Sequence, residues 1–176
     1  IYVNSNEGGF YKCSKQAAEN YIKEFNKIYK LDYTILRFGT LYGSRSGSNN
    51  GVFNIVKEAI KKNKIVYNGD PESIREYVHV IDAANSCVSI LNVKYKNEII
   101  TITGNTPIKV NDFLNIIAEI LSIKKNNIKF KKKKQAGHYI RTPYYYEKKI
   151  SKKFSPSSYI DIGQGVIELV EYLNKK

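Results

Sequence analysis

The residues with the clearest chemistry in this sequence are a tyrosine and a lysine at the start of an amphipathic stretch. Tyr11 and Lys15 stand four residues apart. In a helix this spacing places both side chains on one face, one turn from each other. A neighbouring ammonium favours the phenolate form of a tyrosine, so the two could act together as a general acid and base. The lysine could also donate a hydrogen bond to a ribose hydroxyl of a bound nucleotide.

Sequence context separates this pair from others with the same spacing. The chain contains four Tyr-x-x-x-Lys pairs, which begin at Tyr11, Tyr144, Tyr145 and Tyr172. Spacing alone therefore does not identify a site. The first pair opens a long helical pattern as Tyr-Lys-Cys-Ser-Lys and is followed by two further blocks. Residues 36–45 read Leu-Arg-Phe-Gly-Thr-Leu-Tyr-Gly-Ser-Arg, and residues 75–84 read Arg-Glu-Tyr-Val-His-Val-Ile-Asp-Ala-Ala.

These three blocks, in this order and spacing, resemble those of the extended short-chain dehydrogenases/reductases. In particular they resemble the sugar-nucleotide epimerases and dehydratases related to UDP-glucose 4-epimerase, and the resemblance runs through essentially the whole chain. It implies an enzyme that uses NAD or NADP and epimerises or dehydrates a nucleotide sugar. A catalytically inactive protein of the same fold that binds a sugar nucleotide or a polyanion is the alternative.

The resemblance also implies roles for individual residues. Tyr11 would exchange a proton with a sugar hydroxyl while hydride passes between the sugar carbon and the nicotinamide, and Lys15 would hold the nicotinamide ribose. Phe38 and Gly39 would lie beside the nicotinamide. Thr40 stands where many members of the family have an asparagine that contacts the substrate. The residues that would bind the substrate are Thr40, Arg45, Asn50, Arg75, Tyr77 and Arg141.

The positions of the arginines support a site for a diphosphate. Only 4 of the 29 basic side chains are arginine, and three of them fall inside or beside the blocks. A guanidinium binds a diphosphate through two parallel hydrogen bonds, whereas an ammonium offers a point charge. Arg75 corresponds to the diphosphate-binding arginine of the family, and Arg141 is a candidate for a second phosphate contact. Arg37 lies in a predicted buried strand, where we expect a structural charge paired with a carboxylate or with carbonyls.

Hydrophobic periodicity predicts alternating helices and strands. Apolar residues recur at steps of three and four from Tyr11 to Lys30, which indicates an amphipathic helix. Residues 33–38 and 98–103 predict buried strands that lie parallel in one sheet. With the resemblance, we expect an α/β fold: the C-terminal part of a doubly wound Rossmann-type parallel sheet and a smaller mixed α/β substrate domain. Residues 1–43 and 81–122 would form the cofactor-binding part, and residues 44–80 and 123–176 the substrate domain.

The segment that would bind most of the cofactor is not found in this sequence. The 176 residues contain no glycine-rich turn of the kind that places a dinucleotide diphosphate on a helix N-terminus. The family has this turn before the tyrosine, and the chain contains no methionine. We therefore expect the chain to be a C-terminal fragment that does not turn over substrate on its own.

Composition limits the other partners. The net charge of +13 comes mainly from lysine, so we expect solvated lysines and regard nucleic acid as an unlikely partner, because base readout depends on arginine. Cys13 and Cys87 lie far apart without the spacing of metal ligands. The two cysteines fit a reduced, cytoplasmic compartment, and because no apolar run is long enough to cross a bilayer, we expect no membrane span. Members of the family often dimerise through the long helix, here Tyr11 to Lys30, so a homodimer is expected.

Overall fold

The computed structural model describes residues 9–131 and 151–175 of the chain. The helices in these ranges are α1 (Gly9–Tyr29), α2 (Gly51–Lys62), α3 (Val80–Ser89), α4 (Val110–Ile120) and α5 (Ile162–Asn174). The strands are β1 (Thr34–Phe38), β2 (Thr40–Tyr42), β3 (Ile65–Asn68), β4 (Ile74–Arg75), β5 (Tyr77–His79), β6 (Glu98–Ile102), β7 (Ile108–Lys109), β8 (Ile128–Lys131) and β9 (Lys152–Phe154).

The largest sheet within these ranges has three parallel strands in the order β1–β6–β9. Thr34 lies opposite Glu98 and Phe38 lies opposite Ile102. The α/β fold with parallel strands near 33–38 and 98–103 is therefore confirmed. The division into two domains stays a prediction. Strand β9 belongs to the predicted substrate segment, yet it pairs with β6 of the cofactor-binding segment.

The chain leaves this sheet at Gly39 and enters a second parallel pair, β2 with β5. The Gly39 N–H donates to the Ile102 carbonyl at 2.8 Å, and the Thr40 N–H donates to the Glu76 carbonyl at 3.1 Å. A Cβ on Gly39 would lie 2.9 Å from the Glu76 carbonyl oxygen. Only glycine allows β1 and the start of β5 to approach this closely.

The larger core cluster lies between helices α2, α4 and α5 and the β2–β5 pair. Its fully buried members include Tyr42, Val56, Phe113, Leu114 and Leu169. A second cluster packs α3 against β5 and β6 through smaller side chains. Helix α1 contributes no buried side chain to either cluster, and much of its apolar stripe, including Tyr21, Phe25 and Ile28, is exposed.

Replacing Gly104 with alanine should destabilise the fold because a Cβ there would lie 2.0 Å from the Tyr77 carbonyl oxygen. We expect Gly104→Ala to lower the free energy of unfolding of the full-length protein by about 1–3 kcal/mol, as overpacking does. Urea denaturation measures this change. Gly47→Ala is the matched control, because a Cβ there meets no atom within 4 Å. Equal stability of the two variants would contradict the close contact.

Candidate active site

A cleft of about 1140 Å³ opens between the N-terminal half of α1, strand β1, the start of β2, one side of helix α2 and strand β3. It contains most of the residues that the sequence nominated. Those that line it are Tyr11, Lys15, Phe38, Gly39, Thr40, Asn50, Arg75 and Tyr77. Arg45 is exposed in the loop between β2 and α2 and is not among the lining residues. Arg141 lies outside the described residues.

Tyr11 and Lys15 lie on one face of α1, as their spacing predicts. The Lys15 Nζ atom lies 5.4 Å from the centre of the Tyr11 ring. The Tyr11 side chain is 63% exposed, and both residues line the cleft. The phenol is therefore accessible to a ligand, with a cation close to its ring.

Arg37 holds α1 to the sheet through a two-point contact with Glu19. The Arg37 Nε donates to Glu19 Oε1 at 2.8 Å, and the terminal nitrogen Nη2 donates to Oε2 at 2.6 Å. Arg37 thus pairs with a carboxylate, as predicted for a charge inside a buried strand. The partner itself was not predicted, because the two residues are brought together by the packing of α1 on β1.

Asn50 caps helix α2, a structural role that was not predicted from the sequence. Its side-chain oxygen accepts from the Phe53 N–H at 2.9 Å and caps α2. Its side-chain nitrogen donates to the Leu41 carbonyl at 2.8 Å, which ties the start of α2 to β2. These bonds fix the N-terminus of α2, where Gly51 and Val52 also line the cleft. A helix N-terminus carries free N–H groups and a partial positive charge, both of which favour anions.

Arg75 and Tyr77 face the cleft from neighbouring short strands. The Arg75 Nη1 donates to the Ile74 carbonyl at 2.9 Å, and β4 is paired with β7. Tyr77 is buried, and its ring stacks on Phe113 with the ring centres 4.1 Å apart. Burial raises the pKa of Tyr77 far above its usual value, although the Arg75 charge opposes this. Burial thus disfavours the phenolate form of Tyr77, and we expect its hydroxyl to stay neutral.

The cleft carries an excess of positive charge. Six basic and two acidic side chains line it. The basic residues are Lys15, Arg37, Lys62, Lys64, Arg75 and Lys131, and the acidic ones are Glu19 and Glu58. Glu19 pairs with Arg37 and Glu58 pairs with Lys62. The other four basic residues leave the cleft with a net positive charge, which favours an anionic ligand.

One wall of the cleft was missed by sequence reasoning. Strands β3 and β8 pair in parallel, with Tyr67 opposite Phe130 and Asn68 opposite Lys131. Tyr67, Asn68 and Lys131 line the cleft beside Arg75. No motif marks this wall, because it forms when two short strands far apart in sequence pair with each other.

The described residues show no metal site and no membrane span. Among them, no three His, Cys, Asp or Glu side chains form a group that could hold a metal ion. Within the same ranges, none of the helices combines the length and apolar character needed to cross a bilayer.

The chain belongs to the NAD-dependent epimerase/dehydratase family, whose family model matches residues 4–103. It is 30% identical over 167 residues to a putative UDP-glucose 4-epimerase of Methanocaldococcus jannaschii, covering 93% of this chain and 52% of that protein. It is 25% identical over 115 residues to a UDP-glucuronate 4-epimerase of Thermodesulfobacterium geofontis, covering 65% of this chain and 35% of that protein. The chain thus spans about half the length, or less, of these curated relatives.

Solved structures share the fold. The UDP-glucuronic acid 4-epimerase of Bacillus cereus, in complex with UDP-glucuronic acid and NAD, superposes with a TM-score of 0.78 at 21% identity, over 94% of this chain and 52% of that one. The UDP-glucose 4-epimerase of Thermotoga maritima, with UDP-glucose, gives a TM-score of 0.71 at 25% identity, over 94% and 53%. The expected Rossmann-type fold of the extended short-chain dehydrogenases/reductases is confirmed.

Proposed function

We propose that the full-length protein containing this chain is an NAD(P)-dependent nucleotide-sugar epimerase or dehydratase. This chain would supply its acid/base pair and much of its substrate site. The observation that carries the proposal is the arrangement of Tyr11 and Lys15 on one helix face, opening onto a basic cleft that also contains Arg75. Membership of the NAD-dependent family supports the cofactor. We also place the protein in the cytoplasm.

The residues around Tyr11 fit the nicotinamide end of the cofactor. Phe38 ends β1 at the cleft and Gly39 follows it, and the missing Cβ of Gly39 leaves the backbone free to pack closely at this point. Lys15 can donate to a ribose hydroxyl there. When bound, NAD or NADP would accept a hydride from the sugar carbon and later return it. The task of Tyr11 is to take the proton from the sugar hydroxyl and to give it back, with Lys15 stabilising its phenolate.

The opposite part of the cleft suits the nucleotide diphosphate of the substrate. Arg75 would bind the diphosphate through its planar fork of N–H donors, and the N-terminus of α2 would add backbone N–H groups. Asn50 positions that N-terminus and has one amide hydrogen left for the substrate. Thr40 and the neutral Tyr77 hydroxyl would contact the substrate between the two ends. Arg45 and Arg141 remain predicted substrate contacts without support from the described geometry.

Removing the phenol of Tyr11 should abolish catalysis. We expect Tyr11→Phe in the full-length protein to lower kcat at least about a hundredfold, because proton transfer by a positioned side chain contributes that much or more. The assay follows conversion of UDP, dTDP, GDP and CDP sugars with NAD or NADP by mass spectrometry and NMR. Unchanged turnover would reject Tyr11 as the acid/base.

Tyr172→Phe is the matched control for this experiment. Tyr172 has a lysine at the same spacing, but it packs against the large core cluster on α5. Its substitution should leave kcat within about twofold, because it takes no part in proton transfer. A wild-type protein that binds nucleotide sugars without converting any of them would instead support the catalytically inactive alternative.

Arg75→Lys should separate binding from chemistry. Lysine keeps the charge but loses the planar fork, so we expect KM for the nucleotide sugar to rise about tenfold or more with kcat little changed. Steady-state kinetics at fixed cofactor concentration measure both constants. Lys94→Arg is a control, since Lys94 lies in the exposed turn before β6, and its kinetics should match the wild type. A fall in kcat at unchanged KM would contradict diphosphate binding by Arg75.

We further propose that the protein is a homodimer built on α1. The apolar side chains of this helix, among them Tyr21, Phe25 and Ile28, are exposed at steps of four and three residues. An exposed apolar stripe of this kind is typical of a helix that packs against a partner. Two copies of α1 could cover these stripes by packing against each other, as helices do in a bundle.

Placing a charge in the stripe should weaken the dimer. We expect Phe25→Asp to raise the dimer dissociation constant at least about tenfold, because an unpaired carboxylate would be buried at the interface. Analytical ultracentrifugation of the full-length protein measures the constant. Leu91→Asp, an exposed apolar position after α3, is the control and should dimerise like the wild type. A wild-type monomer at high concentration would refute the proposal.

A further inference from the structure

Helix α1 presents Tyr11 and Lys15 to the cleft without being anchored in the hydrophobic core. None of its 21 residues is buried. Several polar contacts join it to the rest of the described chain. Asn26 donates to the Leu31 carbonyl and to the Asn97 side chain near the C-terminal end of the helix, and Glu19 bonds to Arg37 near its middle.

Glu19 continues the spacing of the proposed acid/base pair. Tyr11, Lys15 and Glu19 follow one another at steps of four, so they share one helix face, and all three line the cleft. Arg37 stands immediately before Phe38, the last residue of β1. The contact between Glu19 and Arg37 therefore joins the face that carries the phenol to the strand end that borders the nicotinamide region.

The geometry of this contact restricts both distance and rotation. A carboxylate held by two parallel N–H groups of a guanidinium cannot turn about a single bond, unlike one held by a lysine ammonium. The side chains of Arg37 and Glu19 are only 8% and 14% exposed. Because so little water reaches them, removal of one partner would leave a poorly solvated charge behind.

We infer that Glu19 and Arg37 are positioning residues, which set the rotation of α1 and thereby aim Tyr11 and Lys15 at the end of β1. This inference rests on the proposed function, since it concerns the geometry of the proton transfer. Neither residue needs to touch the substrate. Their loss would misplace the phenol by a small distance, and such misplacement affects the chemical step more than substrate binding.

The experiment compares Glu19→Gln with Glu24→Gln in the full-length protein. Glu24 lies on the same helix but forms an exposed ion pair with Lys27, so it matches Glu19 in type and in element. We expect Glu19→Gln to lower kcat at least about tenfold with KM for the nucleotide sugar changed less than about threefold. Glu24→Gln should leave both constants within about twofold of the wild type.

Two further variants test whether the two residues act as one unit. Arg37→Lys keeps the charge but loses the two-point geometry, so kcat should fall although the ion pair can still form. The double variant E19Q/R37Q should be no worse than E19Q alone, because the effects of residues in direct contact are not additive. If the double variant loses much more kcat than E19Q alone, the residues act independently and the inference is wrong.

Hydrogen exchange of the ligand-free variants gives a readout that does not depend on activity. In E19Q the amides of α1 (Gly9–Tyr29) should exchange faster while those of α4 (Val110–Ile120), in the core, stay unchanged. Faster exchange in α4 as well would mean global destabilisation, and Arg37→Lys then decides the question.

The possible failures can be told apart. An active wild type whose E19Q variant keeps its kcat overturns the inference and leaves the proposed function standing. A wild type that converts no nucleotide sugar overturns the proposed function, and the positioning role with it.

Discussion

The close approach of Gly39 to the carbonyl oxygen of Glu76 is the constraint on which the geometry of the cleft depends. At this point the chain ends β1, which pairs with β6, and begins β2, which pairs with β5. The hydrogen bonds of Gly39 and Thr40 to Ile102 and Glu76 hold both strands in place. As a result, the residues proposed to border the nicotinamide and those proposed to bind the sugar lie at adjacent positions of one backbone.

The two sides of the cleft are stabilised by different kinds of interaction. The substrate side rests on the large core cluster, in which Tyr77 stacks on Phe113, and on a helix start that Asn50 ties to β2. The side that carries Tyr11 belongs to a helix with no buried residue, held by hydrogen bonds and by one largely buried ion pair. Directional contacts of this kind fix orientation more than they add stability. This suits Tyr11, because proton transfer depends on the orientation of its side chain.

The distribution of the basic residues says more about the ligand than the net charge of the chain does. A net charge of +13 that comes mostly from lysine says little by itself about the ligand. In the cleft, however, both acidic side chains are paired with basic ones, and four further basic residues line it, so the cleft keeps a net positive charge. A diphosphate bound there would meet a guanidinium and a helix N-terminus in addition to lysine.

The sequence by itself determined the local features of this protein. The periodicity of residues 11–30 and the composition of residues 33–38 and 98–103 predicted α1, β1 and β6, because helix and strand periods are set by neighbouring residues. The spacing of Tyr11 and Lys15 likewise determined that they share a face. The order of the three blocks identified the family, and the setting of Arg37 in a buried strand predicted a structural charge paired with a carboxylate or with carbonyls.

Only the tertiary structure decided which residues meet across the chain. It made Glu19 the partner of Arg37, gave Asn50 its bonds to Phe53 and Leu41, and formed the wall of β3 and β8. Arg45 belongs to a family block, yet it is not among the residues that line the cleft. These outcomes depend on long-range packing and on the pairing of strands that are distant in sequence. No local spacing encodes them, because many alternative pairings satisfy the same hydrophobic pattern.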